Sequence, residues 1–294
     1  MSRTALIALF TLAVLQVSPT LQDDPLVRPY PTESCASCAG WNEPQRPVHL
    51  FGNTYYVGTR GLAAVLVASP DGHVLIDGGL PDSAPLILAN VTALGFNPAD
   101  VSLILNTHAH YDHAGGIAAL QRASGARVAA SPPSAEVLKS GKALPEEPQH
   151  GLLFDMPPVP DVAVLKDGQT LRVGPLALTA HFTGGHSPGG TSWSWQSCEG
   201  NRCLTFVYAD SLTPVSADGY LYSRHPSVLA DFERSYGVLE KLPCDVLLTP
   251  HPGASRLWDR VASLPDGLVD GEACRRYAET GRRQLKERLA REAR

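Results

Sequence analysis

The feature that most constrains this chain is a ten-residue string, Thr107-His108-Ala109-His110-Tyr111-Asp112-His113-Ala114-Gly115-Gly116, set directly after the apolar run Val101 to Asn106 (VSLILN). A short apolar run of this kind reads as a buried strand, and Ala114 to Ser124 reads as a helix. The string is therefore a strand-to-helix turn that carries three imidazoles and a carboxylate within six residues. On such a turn His108 and His110 can point to one side while Asp112 and His113 swing to the other. That arrangement can serve two metal ions a few Å apart. Two metals need more ligands than these four. Thr183-Gly184-Gly185-His186-Ser187-Pro188-Gly189-Gly190 offers a histidine in a turn whose glycines allow positive φ and close backbone approach. Leu248-Thr249-Pro250-His251-Pro252 offers another, again just past an apolar strand.

The rest of the pattern places these turns in an architecture. Val48 to Thr59, Ala63 to Ala68 and His73 to Asp77 read as successive strands, with Asn53-Thr54 and Pro70-Asp71-Gly72 as turns. Ser83 to Leu94 reads as a helix capped by Asp82 or Ser83, and Ala126 to Ala130 as a short strand. Ser140 to Pro160, rich in Pro and Gly, reads as a long surface loop, a kind of segment that often carries function. Strands resume at Thr170 to Val173, Leu176 to Phe182, Thr191 to Gln196 and Leu204 to Tyr208. A helix follows from about Ser227 to Lys241, then a strand at Asp245 to Thr249 and two helices near Arg256 to Ala262 and Glu272 to Ala290. Both halves run strands first and then alternate strand with helix. This predicts two β-sheets stacked face to face with helices outside, a four-layer αβ/βα sandwich of the α/β class. Every candidate metal residue follows a strand, where ligands in open α/β folds gather.

Composition narrows the function class. The net charge of -5 gives no basic face for nucleic acid. The arginines and lysine of the last helix alternate with Glu279, Glu287 and Glu292 and read as a solvated face. Ala5 to Val17 is apolar but shorter than the about 20 residues that span a bilayer. After a basic start and before Ser18 and Pro19 it reads as a secretory signal peptide over residues 1–20, cut somewhere near 18–22, with 21–294 as one domain and no membrane contact after cleavage. Six cysteines agree with export. Sequence proximity suggests the pairs Cys35–Cys38, Cys198–Cys203 and Cys244–Cys274. Cys35-Ala-Ser-Cys38 could instead be a redox or zinc motif, although no second cysteine pair completes a tetrahedral site. His49, His73, His150, His181 and His225 show no partner pattern, and His73, just after a turn, is expected in solvent.

HAHYDH, GGHSPGG and TPHP, in this order and spacing, resemble the metallo-β-lactamase superfamily. With YADSLTP and GGHSPGGTSWSW they resemble in particular its subclass B3, secreted enzymes that hydrolyse β-lactam antibiotics. The resemblance covers nearly the whole chain from Gly40-Trp41-Asn42 to the last helix, and it implies the metallo-β-lactamase fold with two mixed sheets. It implies that His108, His110 and His186 hold one zinc ion and Asp112, His113 and His251 a second. It implies a periplasmic, monomeric enzyme in which a zinc-bound hydroxide, oriented by Asp112, attacks the lactam carbonyl. With only one carboxylate and the hydroxide against two zinc ions, such a centre keeps positive charge and suits an anionic small-molecule substrate. Ser211 and Thr213 match the family's contacts to the substrate carboxylate, and Gln149 a substrate-contacting glutamine of some members. Trp41 falls in a segment that reaches over the site in this family, or else is a packing residue. In some members the first cysteine pairs with one at the position that is Arg60 here, so Cys35–Cys38 would be a replacement bridge.

Two residues leave alternatives open. Asp77 could orient a metal-bound histidine or cap its turn. Asp210 resembles the metal-bridging aspartate of thioesterases such as glyoxalase II and of lactonases. A bridging Asp210 would favour a thioester or lactone hydrolase. A third reading is a secreted zinc-binding protein without catalysis, against which the complete ligand set argues.

Overall fold

Alternating and continuous apolar runs settle into two mixed sheets in the computed structural model, which describes residues 24–31 and 33–294. The signal-peptide segment lies outside the described residues. A short helix α1 (Cys38–Trp41) precedes β1 (Val48–Phe51), β2 (Thr54–Tyr56), β3 (Val65–Val67) and β4 (His73–Ile76). Helix α2 (Ala84–Ala93) leads to β5 (Val101–Leu105), then α3 (Tyr111–Ala114), α4 (Ile117–Ser124), β6 (Arg127–Ala130), α5 (Pro132–Ser140) and β7 (Val162–Val164). These seven strands lie side by side in chain order, antiparallel from β1 to β4 and parallel from β4 to β7. The second sheet holds β8 (Thr170–Val173), β9 (Leu176–Phe182), β10 (Thr191–Glu199), β11 (Arg202–Tyr208) and β12 (Val246–Leu248), which follows α6 (Pro226–Lys241). All its pairings are antiparallel except β11 with β12. Helices α7 (Leu257–Val261) and α8 (Ala273–Glu292) close the chain.

Three apolar layers hold the sandwich. Between the sheets, Val65, Val67, Val74, Ile76, Leu103 and Leu105 of the first meet Trp193, Trp195, Phe206 and Tyr208 of the second. The outer face of the first sheet buries Leu66, Leu75, Ile104 and Val128 under Ile87, Val91, Ile117, Leu120 and Leu138 of its helices. The outer face of the second buries Val207 and Leu247 under Phe232, Tyr236, Leu239 and Leu285. In α6 the buried positions 232, 235, 236 and 239 repeat at helical spacing, which is why this stretch forms a helix against a sheet. The expected four layers are therefore present.

Several details differ from the sequence expectation. Helix α5 was not anticipated: Pro132 and Pro133 sit in its first turn, where a missing N–H costs nothing. Beyond Ser140, where α5 ends, the segment to Pro160 holds no helix or strand, as expected, but it is not all surface. Glu147, Met156 and Val159 are buried. Ser83 does not cap α2 with its side chain; its hydroxyl accepts from Leu80 N and donates to Asn42 Oδ1. His73 is buried rather than solvated, edge-on to Phe96, with Nδ1 accepting from Ser69 N. The alternating charges of α8 are not simply solvated either: Arg282 reaches Glu233 and Glu240, and Arg288 reaches Glu292. All three expected cysteine pairs are bridged, Cys35–Cys38 included. No helix among the described residues is long and apolar enough to cross a membrane.

Candidate metal centre

The turns after β5, β9 and β12 converge at one edge of the two sheets. Strand β5 ends at Leu105 and the chain turns through His108 and His110 into α3, whose first turn carries Asp112 and His113. Asp77 fastens this turn. Its carboxylate accepts from Thr107 N at 2.7 Å, Thr107 Oγ1 at 2.8 Å and Tyr208 Oη at 2.9 Å. Burial pushes the Asp77 carboxyl up to about 7, against the bonds from Thr107 and Tyr208 that favour its charge. Among the described residues it hydrogen-bonds to no histidine, so its part is to hold the loop rather than to orient an imidazole. It does so from a left-handed backbone, φ 64°, which a non-glycine residue seldom adopts.

Two groups of side chains could each hold a metal ion: His108, His110 and His186 in one, Asp112, His113 and His251 in the other. In each, one potential ligand atom per residue lies within 4.8 Å of the others. The two groups adjoin, with the rings of His108 and His113 centred 4.6 Å apart. A tetrahedral metal with ligands about 2.0–2.1 Å away sets its ligand atoms about 3.3 Å from one another. Asp112 Oδ2 stands 3.3 Å from Nε2 of both His113 and His251, so these residues fit a metal ion. Nε2 of His108 is buried and without a hydrogen-bond partner, as a free ligand nitrogen would be.

Partners on the far side of the rings fix them. Asp210 Oδ1 is 2.6 Å from His108 Nδ1, which leaves Nε2 for a metal. Such a carboxylate–histidine pair orients a ligating ring and raises its basicity. Gly190 makes the approach possible: a Cβ there would stand 2.5 Å from Asp210 Oδ2. His186 Nδ1 donates to the Thr213 carbonyl at 2.8 Å, and its Nε2 lies 3.5 Å from Gln149 Nε2. Glu147 Oε1 is 3.2 Å from His110 Nε2, an ion-pair distance without hydrogen-bond alignment, while Oε2 accepts from Ser187 Oγ at 2.9 Å. The Ala63 N–H donates to the Pro250 carbonyl and holds the turn that presents His251.

Protonation follows from these surroundings. Burial holds His108, His113 and His186 below the ordinary histidine value, in the neutral form that ligates metals. Burial opposes charge on Asp112, but the imidazoles of His113 and His251 outweigh it and hold its carboxyl well below the usual range. Burial also opposes charge on His110, and the neighbouring Glu147 carboxylate reverses the balance, raising it. Asp210 is pushed up to about 7 by burial, against the pull of His186.

The structure thus brings all six expected ligand residues together. Asp210 belongs to neither triad and stands behind His108. Thr213 lies beside His186 and Ser211 is nearly buried in the same segment. Gln149 reaches the rim on the 140–160 segment, which Ala217 N joins to the Thr213 side by donating to the Pro148 carbonyl. Trp41 reaches the site, its ring centre 5.3 Å from that of His251. Glu147 was missed in the sequence. Its one signal was position, the second of two adjacent acids, Glu146 and Glu147, two residues before Gln149 in the segment read as functional.

The chain belongs to the metallo-β-lactamase superfamily, whose family model matches residues 57–200. Among solved structures it is similar to the Rm3 metallo-β-lactamase, at 55% identity over 88% of this chain and 99% of that one, with a TM-score of 0.86. It is also similar to MEM-A1, a subclass B3 metallo-β-lactamase isolated from a soil metagenome library, at 48% identity over 86% and 98% of the two chains and a TM-score of 0.84. A hydroxyacylglutathione hydrolase of Anaeromyxobacter dehalogenans (strain 2CP-C) is 32% identical over 69% of this chain and 67% of its own length.

Proposed function

We propose that the protein is a secreted dizinc β-lactamase that hydrolyses the lactam amide of penicillins, cephalosporins and carbapenems and so confers antibiotic resistance. The observation that carries this reading is the pair of unequal ligand triads in a chain that resembles subclass B3 enzymes over 86–88% of its length. His108, His110 and His186 would hold one zinc ion; Asp112, His113 and His251 would hold the other. Bound zinc supplies a nucleophilic water at neutral pH and Lewis acidity at a carbonyl oxygen. The chain's residues do the rest. Asp112, kept ionised, accepts a hydrogen bond from the attacking water and orients it. Ser211 and Thr213 offer hydroxyl donors to the substrate carboxylate, and Gln149 contacts substrate from the facing rim. Asp210 and the Thr213 carbonyl keep His108 and His186 aimed.

Residues 1–20 serve as a signal peptide, cut near 18–22, and residues 21–294 act as one monomeric domain in the periplasm. The three disulfides suit an oxidising compartment. A thioester-hydrolase reading draws on the hydroxyacylglutathione hydrolase relative. The place of Asp210, on His108 Nδ1 and outside both triads, supports the lactamase reading instead. Hydrolysis of a penicillin, a cephalosporin and a carbapenem by the zinc-loaded protein, beside a lactoylglutathione thioester, decides between them. Lactam turnover with little thioester turnover is expected; the reverse would replace this reading.

A further inference from the structure

Beside the Leu212–Thr213 segment, α7 and α8 border an open cavity of about 630 Å³. This is within the range of small-molecule sites, about 300–1,000 Å³. Leu212, Leu247 and Tyr277 give it apolar walls, and five charged side chains line it. Two of its three guanidinium groups are matched. Arg256 Nε lies 3.0 Å from Asp259 Oδ2, and Arg276 pairs with Asp270. The third, Arg260, forms no ion pair among the described residues. Its terminal nitrogens donate to the carbonyls of Leu247, Ser255 and Leu268 at 2.8, 3.2 and 2.6 Å, and its Nε is buried without a partner. Carbonyl dipoles hold this guanidinium in place but do not neutralise it. The cavity therefore keeps one positive charge in excess beside an apolar wall.

We propose that this cavity is a second ligand site, for a small monocarboxylate with an aromatic or branched aliphatic body. The excess charge of Arg260 attracts one carboxylate, and its fixed position removes much of the ordering cost of binding. A dianion would meet Asp259 and Asp270, and a cation would meet three guanidinium groups. The apolar body packs on Leu212, Leu247 and Tyr277.

The test uses 2-naphthoate with the zinc-loaded protein, followed by chemical-shift mapping. Saturable shifts at Leu212, Leu247, Ala254 and Tyr277 are expected. The neutral analogue 2-naphthylmethanol should bind about tenfold more weakly. Arg260→Met should lose that difference. Because Arg260 also ties three carbonyls, Thr280→Trp serves as the second variant. It fills the cavity from α8 while keeping Arg260 and should weaken 2-naphthoate binding at least about tenfold. Shifts confined to the triads, no saturable shift, or unchanged binding to Thr280→Trp would overturn the proposal.

Discussion

His108 and Asp210, 102 residues apart in sequence, meet in the buried interior at 2.6 Å between Nδ1 and Oδ1. The contact fixes which imidazole nitrogen faces the first triad. Asp210→Asn keeps the shape and removes the carboxylate, so it should lower zinc affinity about 10–100-fold. Competition with a chromophoric zinc chelator reads the affinity directly. Wild-type affinity in the variant would show that the pair does not orient His108.

Glu147 plays a similar part for His110 but with poorer alignment. Glu147→Gln can still accept from Ser187, so the loop should keep its place while the charge beside His110 is lost. A decrease of about tenfold or less in zinc affinity is expected, smaller than that for Asp210→Asn. An equal or larger loss would reverse their ranking.

These two carboxylates mark where the sequence was legible and where it was not. The two triads could be read because each candidate ligand sits in a short string of unusual composition after an apolar strand: HAHYDH, GGHSPGG, TPHP. The sheets could be read for the same reason, since β5 and β11 are apolar runs bounded by polar turns. Glu147 belongs to no such string. It reaches His110 only because the 140–160 segment folds back over the triad, a tertiary event with no local period. Asp210 was visible, but its role was not: bridging metals and buttressing an imidazole need the same residue type, and only the 2.6 Å contact separates them. His73 was misread because a turn beside it suggested solvent, whereas Phe96, from a distant loop, covers it.

The cysteine bridges should contribute unequally. Cys244–Cys274 closes a separation of 30 residues and Cys198–Cys203 one of 5. Loop-closure entropy assigns about 3–4 kcal/mol to the longer and about 2 kcal/mol to the shorter. Paired Cys→Ser variants should therefore lower Tm more for the first than the second in thermal unfolding. Mass spectrometry of the native protein should find no free thiol at Cys35 or Cys38.

Acid should release the end of α8. Glu292 accepts from the backbone N–H groups of Tyr222 and Ser223 and from Arg288 Nε. Burial opposes its charge, but these donors prevail and its carboxyl lies below the ordinary glutamate value. A group depressed in the folded state adds stability above its unfolded pKa and loses it as pH falls through the folded one. Glu292→Gln should therefore melt at a lower temperature than wild type at pH 7. The gap should close below about pH 4. A gap that persists undiminished in acid would exclude this linkage.

In the proposed reading two unequal metal sites together hydrolyse β-lactams, and stepwise zinc return to chelator-stripped protein tests this. Zinc content by mass spectrometry and nitrocefin turnover would be followed on the same samples. Negligible turnover without zinc, binding of two zinc ions per chain and full turnover on saturation are expected, with Asp112→Ala retaining the His108–His110–His186 site but losing most activity. Two bound zinc ions with no hydrolysis of nitrocefin, or full turnover in the stripped protein, would contradict it.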